Sequence, residues 1–159
     1  MAALVELTVN GRPVTAKTEH GETLLELLRR ELRLFSVREA CGLGICGSCT
    51  VVLDGRLSSA CLVLALAANG SSVETVEGLR NGADLHPLQQ AFADRTAFQC
   101  SYCTPGFVLS ARALLAEERR PTPEQVRDYL AGNLCRCGSY LKIEEAVLDA
   151  AARLGSETP

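Results

Sequence analysis

The sequence predicts an α+β fold in two parts, on three observations. Strand-like alternation and two short hairpin signals are confined to the first half, strand signals stop near residue 80, and beyond that point prolines stand where helices begin. The expected division is residues 1–79, a small β-sheet with one helix, and residues 80–159, a compact bundle of four helices.

Residues 4–9, "LVELTV", put Val5, Leu7 and Val9 on one face, and Asn10-Gly11 turns the chain into a second strand, "RPVTA". "TLLELLRREL" has helical spacing at Leu24, Leu27, Leu28 and Leu32, with Thr23 and Glu26 matching a capping box. "CTVVLDGRLSSAC" carries a second hairpin signal at Asp54-Gly55, and "SSVETVEG" reads as a further short strand. "GLRNGADLH" is the expected linker. After it, Pro87, Pro105 and Pro123 each fit the first turn of a helix, the last two behind a capping Thr104 or Thr122. "YLKIEEAVLDAAARL", with Ile143, Val147, Leu148 and Ala151 on one side, supplies the fourth helix, ending at Gly155, and the tail "GSETP" is expected to fray.

Composition excludes several functions. With 159 residues, 47% hydrophobic and 22% charged, and a net charge of −3, the chain reads as soluble and globular, with no basic excess to attract nucleic acid. The start "MAALVELTVN" lacks the basic and apolar regions of a signal peptide, and the longest apolar run, "CLVLALAA", is too short for a membrane span. The expected location is therefore cytoplasmic, where thiols more often hold metal or do redox chemistry than pair as structural disulfides.

Eight cysteines fall into two groups. In the first, the order Cys41-x4-Cys46-x2-Cys49, with Cys61 later, is the spacing of a plant-type [2Fe-2S] loop. Structural zinc favours two short ligand pairs instead. "GLGICG" satisfies a dinucleotide fingerprint by letter, yet a helix precedes it where a strand should. Gly42, Gly44 and Gly47 suit a cluster: backbone N–H donors must approach anionic sulfur closely, and glycine permits positive φ. A merely flexible loop would account for the glycines but not for the spaced thiols. In the second group, Cys100-x2-Cys103 and Cys135-x-Cys137 are placed at expected helix ends, where free N–H groups suit an anion. Spacing alone leaves both iron-sulfur and zinc open there.

"EACGLGICGSCTV", "QCSYCTPG" and "GNLCRCGSY", in this order, resemble the small iron-sulfur subunit of the molybdenum hydroxylases, the xanthine oxidase family, over nearly the whole chain. The resemblance implies an N-terminal ferredoxin-like β-grasp domain holding one [2Fe-2S] cluster on Cys41, Cys46, Cys49 and Cys61, and a C-terminal four-helix domain holding another on Cys100, Cys103, Cys135 and Cys137. It implies partners: a large subunit with a molybdopterin cofactor, a medium subunit with FAD, and assembly as a dimer of heterotrimers. Electrons would run from molybdenum through the helical-domain cluster and the ferredoxin-like cluster to flavin. Gln99 and Cys137 match positions that lie beside the molybdopterin in related subunits. No catalytic residue is expected in this chain; His20 and His86 are isolated and suit surface or capping roles. Substrates of the family's large subunits include purines, aldehydes, N-heterocycles, carbon monoxide and aromatic thioesters. Ala40, Ser101 and Gly138-Ser139 depart from the usual Gly, Gly and Thr-Gly, which bears on turn geometry rather than on the thiols.

Overall fold

In the computed structural model, which describes residues 3–156, β1 (Ala3–Val9) and β2 (Arg12–Thr18) form an antiparallel hairpin. Val5, Leu7 and Val9 are buried on one face, as their period of two requires. The turn residues Asn10 and Gly11 take φ of 50° and 76°, so both are left-handed, the geometry that favours a short polar residue followed by glycine. Asp54 and Gly55 repeat the device between β3 (Thr50–Leu53) and β4 (Arg56–Ser59).

Between the hairpins, α1 (Leu24–Arg30) buries Leu24, Leu25, Leu27 and Leu28 against the sheet. Its capping box is reciprocal: the Glu26 N–H donates to Thr23 Oγ1 at 3.2 Å, and the Thr23 N–H donates to Glu26 Oε2 at 2.8 Å. β5 (Ser72–Glu74) completes a mixed sheet of order β2-β1-β5-β3-β4, parallel to β1 and antiparallel to β3. This last strand is shorter than "SSVETVEG" suggests, and the chain passes into a 3-10 turn at Val76–Leu79. Side chains capture the backbone there: the Thr75 N–H donates to Asn10 Oδ1 at 2.8 Å, and Glu77 takes the Ser36 N–H at 2.9 Å.

The second half contains α2 (Pro87–Asp94), α3 (Thr104–Glu117), α4 (Pro123–Tyr129) and α5 (Tyr140–Ser156) around a core of Phe92, Phe107, Leu114, Val126, Ile143 and Val147. His86 caps α2, its Nδ1 accepting from the Leu88 N–H at 3.2 Å, and Thr122 caps α4 in a box with Gln125. Thr104 corrects the expectation placed on it. Cys103 occupies the N-cap with helical dihedrals and no side-chain cap bond, so Thr104 lies inside α3 and its Oγ1 is buried without a hydrogen-bond partner. α5 runs one residue past Gly155; of the tail "GSETP", residues 157–159 lie outside the described residues. No helix among the described residues is long and apolar enough to cross a membrane. The two cores are distinct, and α3 lies against β3 and β4 where they meet.

Candidate metal centres

Cys41, Cys46 and Cys49 lie on the irregular segment between α1 and β3, and Cys61 follows β4 directly. Gly42, Gly44 and Gly47 have φ of 63°, 72° and 71°, the left-handed region that glycine enters freely. The loop thereby turns amides inward: the Leu43 N–H donates to Cys41 Sγ at 3.3 Å. The backbone N–H groups of Leu43 and Ile45, aided by the Cys46 thiol, bring the Cys41 thiol down to about 6. Cys46 and Cys49 are buried, and burial, with the Cys61 thiol alongside, pushes Cys49 up to about 11.

The second set sits on helix ends. Cys100 and Cys103 precede α3, while Cys135 and Cys137 lie between a 3-10 turn at Leu130–Gly132 and α5. The Cys137 and Cys100 Sγ atoms are 3.5 Å apart. The Tyr102 N–H and the Cys137 thiol lower Cys100, whereas burial and the Cys135 thiol push Cys103 up to about 12. Burial opposes ionisation of Cys135 as well, but there the Ser139 N–H, donating to its Sγ at 3.4 Å, and the Cys103 thiol outweigh it and lower the thiol. Ser101 stands at φ 57° and Gly138 at 76°, so two of the unusual positions noted in the sequence carry left-handed turns.

The thiols are therefore brought together in pairs, Cys41 with Cys46, Cys49 with Cys61, Cys100 with Cys137 and Cys103 with Cys135. Among the described residues no three of His, Cys, Asp and Glu crowd closely enough to share one ion. A single tetrahedral zinc draws four ligands round one point. A two-iron core takes two thiolates on each iron, so pairs of thiols fit it better. All donors are sulfur, the soft ligand that iron-sulfur clusters select, and inward N–H groups are present to offset the charge.

Gln99 is exposed, and its Nε2 donates to the Cys137 carbonyl at 3.1 Å, so these two residues share one edge. His20 lies in an exposed turn after β2. Sequence reasoning gave no role to Asn133, Arg38, Tyr102 or Gly106, which join the two cysteine loops. The buried Asn133 donates from Nδ2 to the Gly47 carbonyl at 3.3 Å, and the Leu134 N–H donates to the Cys46 carbonyl at 2.9 Å. Arg38 donates to the Ser101 carbonyl and stacks over the Tyr102 ring at 5.3 Å, while the Tyr102 hydroxyl donates to the Glu39 carbonyl at 2.5 Å. A Cβ on Gly106 would stand 2.0 Å from the Gly47 oxygen. One signal was available: a glycine in the first turn of a helix, where alanine is favoured, marks a close approach.

Residues 7–74 match the family of the 2Fe-2S iron-sulfur cluster binding domain, and residues 75–148 that of the [2Fe-2S] binding domain. The chain is 44% identical over 153 residues to the nicotine 6-hydroxylase small subunit of Paenarthrobacter nicotinovorans, covering 96% of this chain and 92% of that one. It is also 44% identical over 147 residues to the xanthine dehydrogenase iron-sulfur-binding subunit of Escherichia coli O157:H7, covering 91% and 92%. Quinoline 2-oxidoreductase from Pseudomonas putida 86 contains a chain that superposes with a TM-score of 0.93 at 38% identity, covering 98% of each. The two successive cluster-binding matches and this end-to-end likeness identify an oxidoreductase subunit: the chain belongs to the small iron-sulfur subunits of the molybdenum hydroxylase and xanthine dehydrogenase family.

Proposed function

We propose that this chain is the electron-transfer subunit of a molybdenum-containing dehydrogenase or hydroxylase, relaying electrons between a molybdopterin site in a large subunit and FAD in a medium subunit. Residues 1–79 form a ferredoxin-like β-grasp domain whose Cys41, Cys46, Cys49 and Cys61 hold one [2Fe-2S] cluster. Residues 80–159 form a four-helix domain whose Cys100, Cys103, Cys135 and Cys137 hold the second. The observation that carries this reading is the pairwise approach of the eight thiols in two sets.

A bound [2Fe-2S] centre supplies reversible one-electron transfer and makes no bond to substrate. The chain's own residues do the rest. Leu43 and Ile45 direct N–H groups at Cys41, and Ser139 directs one at Cys135, so backbone amides stabilise thiolate charge at both sets. Burial of Cys46, Cys49 and Cys135 keeps water from one side of each set. Exposed Leu43, Ile45 and Leu62, the last packed against Gly44, form an apolar rim around the first set and suit the flavin-bearing partner. Gln99 and Cys137 present their shared edge to the large subunit, where the Gln99 amide suits a pterin ring. The assembly is a cytoplasmic dimer of heterotrimers, and the partner determines the substrate.

Metal analysis of the co-purified complex tests this. We expect about four irons and four acid-labile sulfides per copy of this chain, as two two-iron clusters require, and two distinct EPR signals on reduction. Zinc in place of iron, or one signal only, overturns the proposal.

A further inference from the structure

Cys135 is the buried thiol of the second set, 7% exposed, and the chain folds back on its sulfur. The Gly138 N–H donates to the Cys135 carbonyl at 3.1 Å, and the left-handed turn at Gly138, φ 76°, brings Ser139 round to Cys135 Sγ. There the Ser139 N–H donates to the sulfur at 3.4 Å. Ser139 is itself 8% exposed, and its carbonyl accepts from the Ile143 N–H at 3.0 Å, so the first turn of α5 holds it in place. The Cys135 N–H is occupied elsewhere, donating to the Tyr140 hydroxyl at 2.9 Å. Burial opposes ionisation of the Cys135 thiol; the Ser139 N–H, the Cys103 thiol and then the Ser139 hydroxyl outweigh it, so the hydroxyl is a second donor to the same sulfur. Hydroxyls beside the first set are engaged differently: Thr50 Oγ1 donates to the Gly47 carbonyl at 2.8 Å and Ser59 Oγ to the Gly44 carbonyl at 3.3 Å. Gly138-Ser139 is also a place where this sequence departs from the usual Thr-Gly, so the hydroxyl stands where glycine is usual.

We infer that Ser139 tunes the second centre: its hydroxyl, donating to Cys135 Sγ beside the backbone N–H, raises that centre's reduction potential and leaves the first unchanged. The inference rests on the reading that Cys100, Cys103, Cys135 and Cys137 hold a [2Fe-2S] cluster. Reduction adds one electron to the centre and spreads negative charge onto its sulfur ligands, so a donor to sulfur stabilises the reduced state more than the oxidised one. The site is buried, where water screens the hydroxyl dipole least. No covalent bond forms or breaks, and the proton stays on Ser139 Oγ.

Redox titration of the assembled complex with dithionite, read by EPR, tests this. Ser139→Ala removes the hydroxyl and keeps the backbone N–H. It should lower the reduced-to-oxidised ratio of the second centre about fivefold at any fixed potential, the factor that one ordinary hydrogen bond represents; at about 59 mV per tenfold this is a shift of roughly 40 mV to more negative values. Iron and sulfide content and the first centre's potential should not move, and Ser139→Thr, which retains a hydroxyl, should stay near wild type. A loaded Ser139→Ala with wild-type potential at the second centre, an equal shift at both centres, or the same shift in Ser139→Thr overturns the inference. If Ser139→Ala loses the second centre's iron, Ser139→Gly, which carries the residue usual at that position, decides by the same shift. Loss of iron from both variants would make the hydroxyl a structural requirement rather than a tuning group, and overturns the inference as well. Absence of iron from the wild-type complex would instead defeat the functional reading itself.

Discussion

The two cysteine sets are held by different backbone devices. The first hangs on a segment without regular structure, shaped by three left-handed glycines, and the second is clamped between the start of α3 and the start of α5. A loop that wraps an anionic group has to be built from residues tolerating positive φ, so its chemistry is written as local spacing. Helix ends supply free N–H groups by construction, so the second set needs little besides its thiols. The difference teaches where each site is vulnerable: the first through its glycines, the second through its helices, and both where the two loops touch.

Substitution at that contact has the largest expected effect. Gly47→Ala places a Cβ 2.3 Å from Asn133 Nδ2 and 3.0 Å from the Gly132 carbonyl at φ 71°, and Gly106→Ala places one 2.0 Å from the Gly47 oxygen. Alanine in a helix gains about 1 kcal/mol over glycine, but overpacking against backbone that cannot move costs about 1–3 kcal/mol, and at 2.0 Å the clash wins. Gly106→Ala, although it lies in the helical half, should therefore lower iron at the first centre, as read by EPR and metal content. Gly138→Ala is the contrasting case. Nothing lies within 4 Å of its Cβ, so only left-handed strain of about 1–2 kcal/mol remains, and both centres should load. If Gly106→Ala spared the first centre, the two loops would be independent after all.

The next effect is electrostatic and separates the halves by pH. Burial opposes ionisation of Glu77, yet hydrogen bonds from the Ser36 hydroxyl and N–H and from Thr75 Oγ1 at 2.7 Å outweigh it and hold the carboxyl below its usual range. Thr75 in turn binds Asn10 of the first hairpin, so Glu77 ties the cysteine loop's approach to the turn that leads into the helical half. A depressed carboxyl stabilises above its unfolded pKa and loses that contribution as pH falls through the folded value. Glu77→Gln should therefore melt below wild type at pH 7, with the gap closing at acid pH below the unfolded value near 4.5. A gap that stayed constant with pH would show that hydrogen-bond geometry, not charge, holds this joint.

Much of this was legible in the sequence. Alternation fixed β1, Asx-Gly pairs fixed both hairpins, and prolines fixed three helix starts, because each signal arises within a few neighbouring residues. The spacing of the first cysteine group is a signal of the same local kind. The assignment of Thr104 as a cap failed because cap geometry depends on the dihedrals of Cys103, which tertiary placement sets. Asn133 was invisible because its partner, Gly47, is 86 residues away, and nothing local distinguishes it from any other asparagine in a turn.

The smallest effect bears most directly on whether the halves act as one. Each has a helix with a reciprocal capping box, Thr23 with Glu26 on α1 and Thr122 with Gln125 on α4. Thr23→Ala and Thr122→Ala should each cost about 1 kcal/mol by leaving a first-turn N–H without its partner. Neither side chain touches a thiol, so iron content should not change. Distinct cores alone would let the two halves melt apart, each substitution lowering its own transition. The hydrogen bonds from Asn133 and Leu134, the Arg38 and Tyr102 contacts and the packing of α3 on β3 and β4 argue otherwise, since unfolding either half strips buried partners from the other. Calorimetry should show a single transition that either substitution lowers by about 2–4 °C, the shift that ~1 kcal/mol produces in a domain of this size. Two transitions, with Thr122→Ala moving only one, would mean that the junction orders the cysteine loops without coupling the cores beneath them.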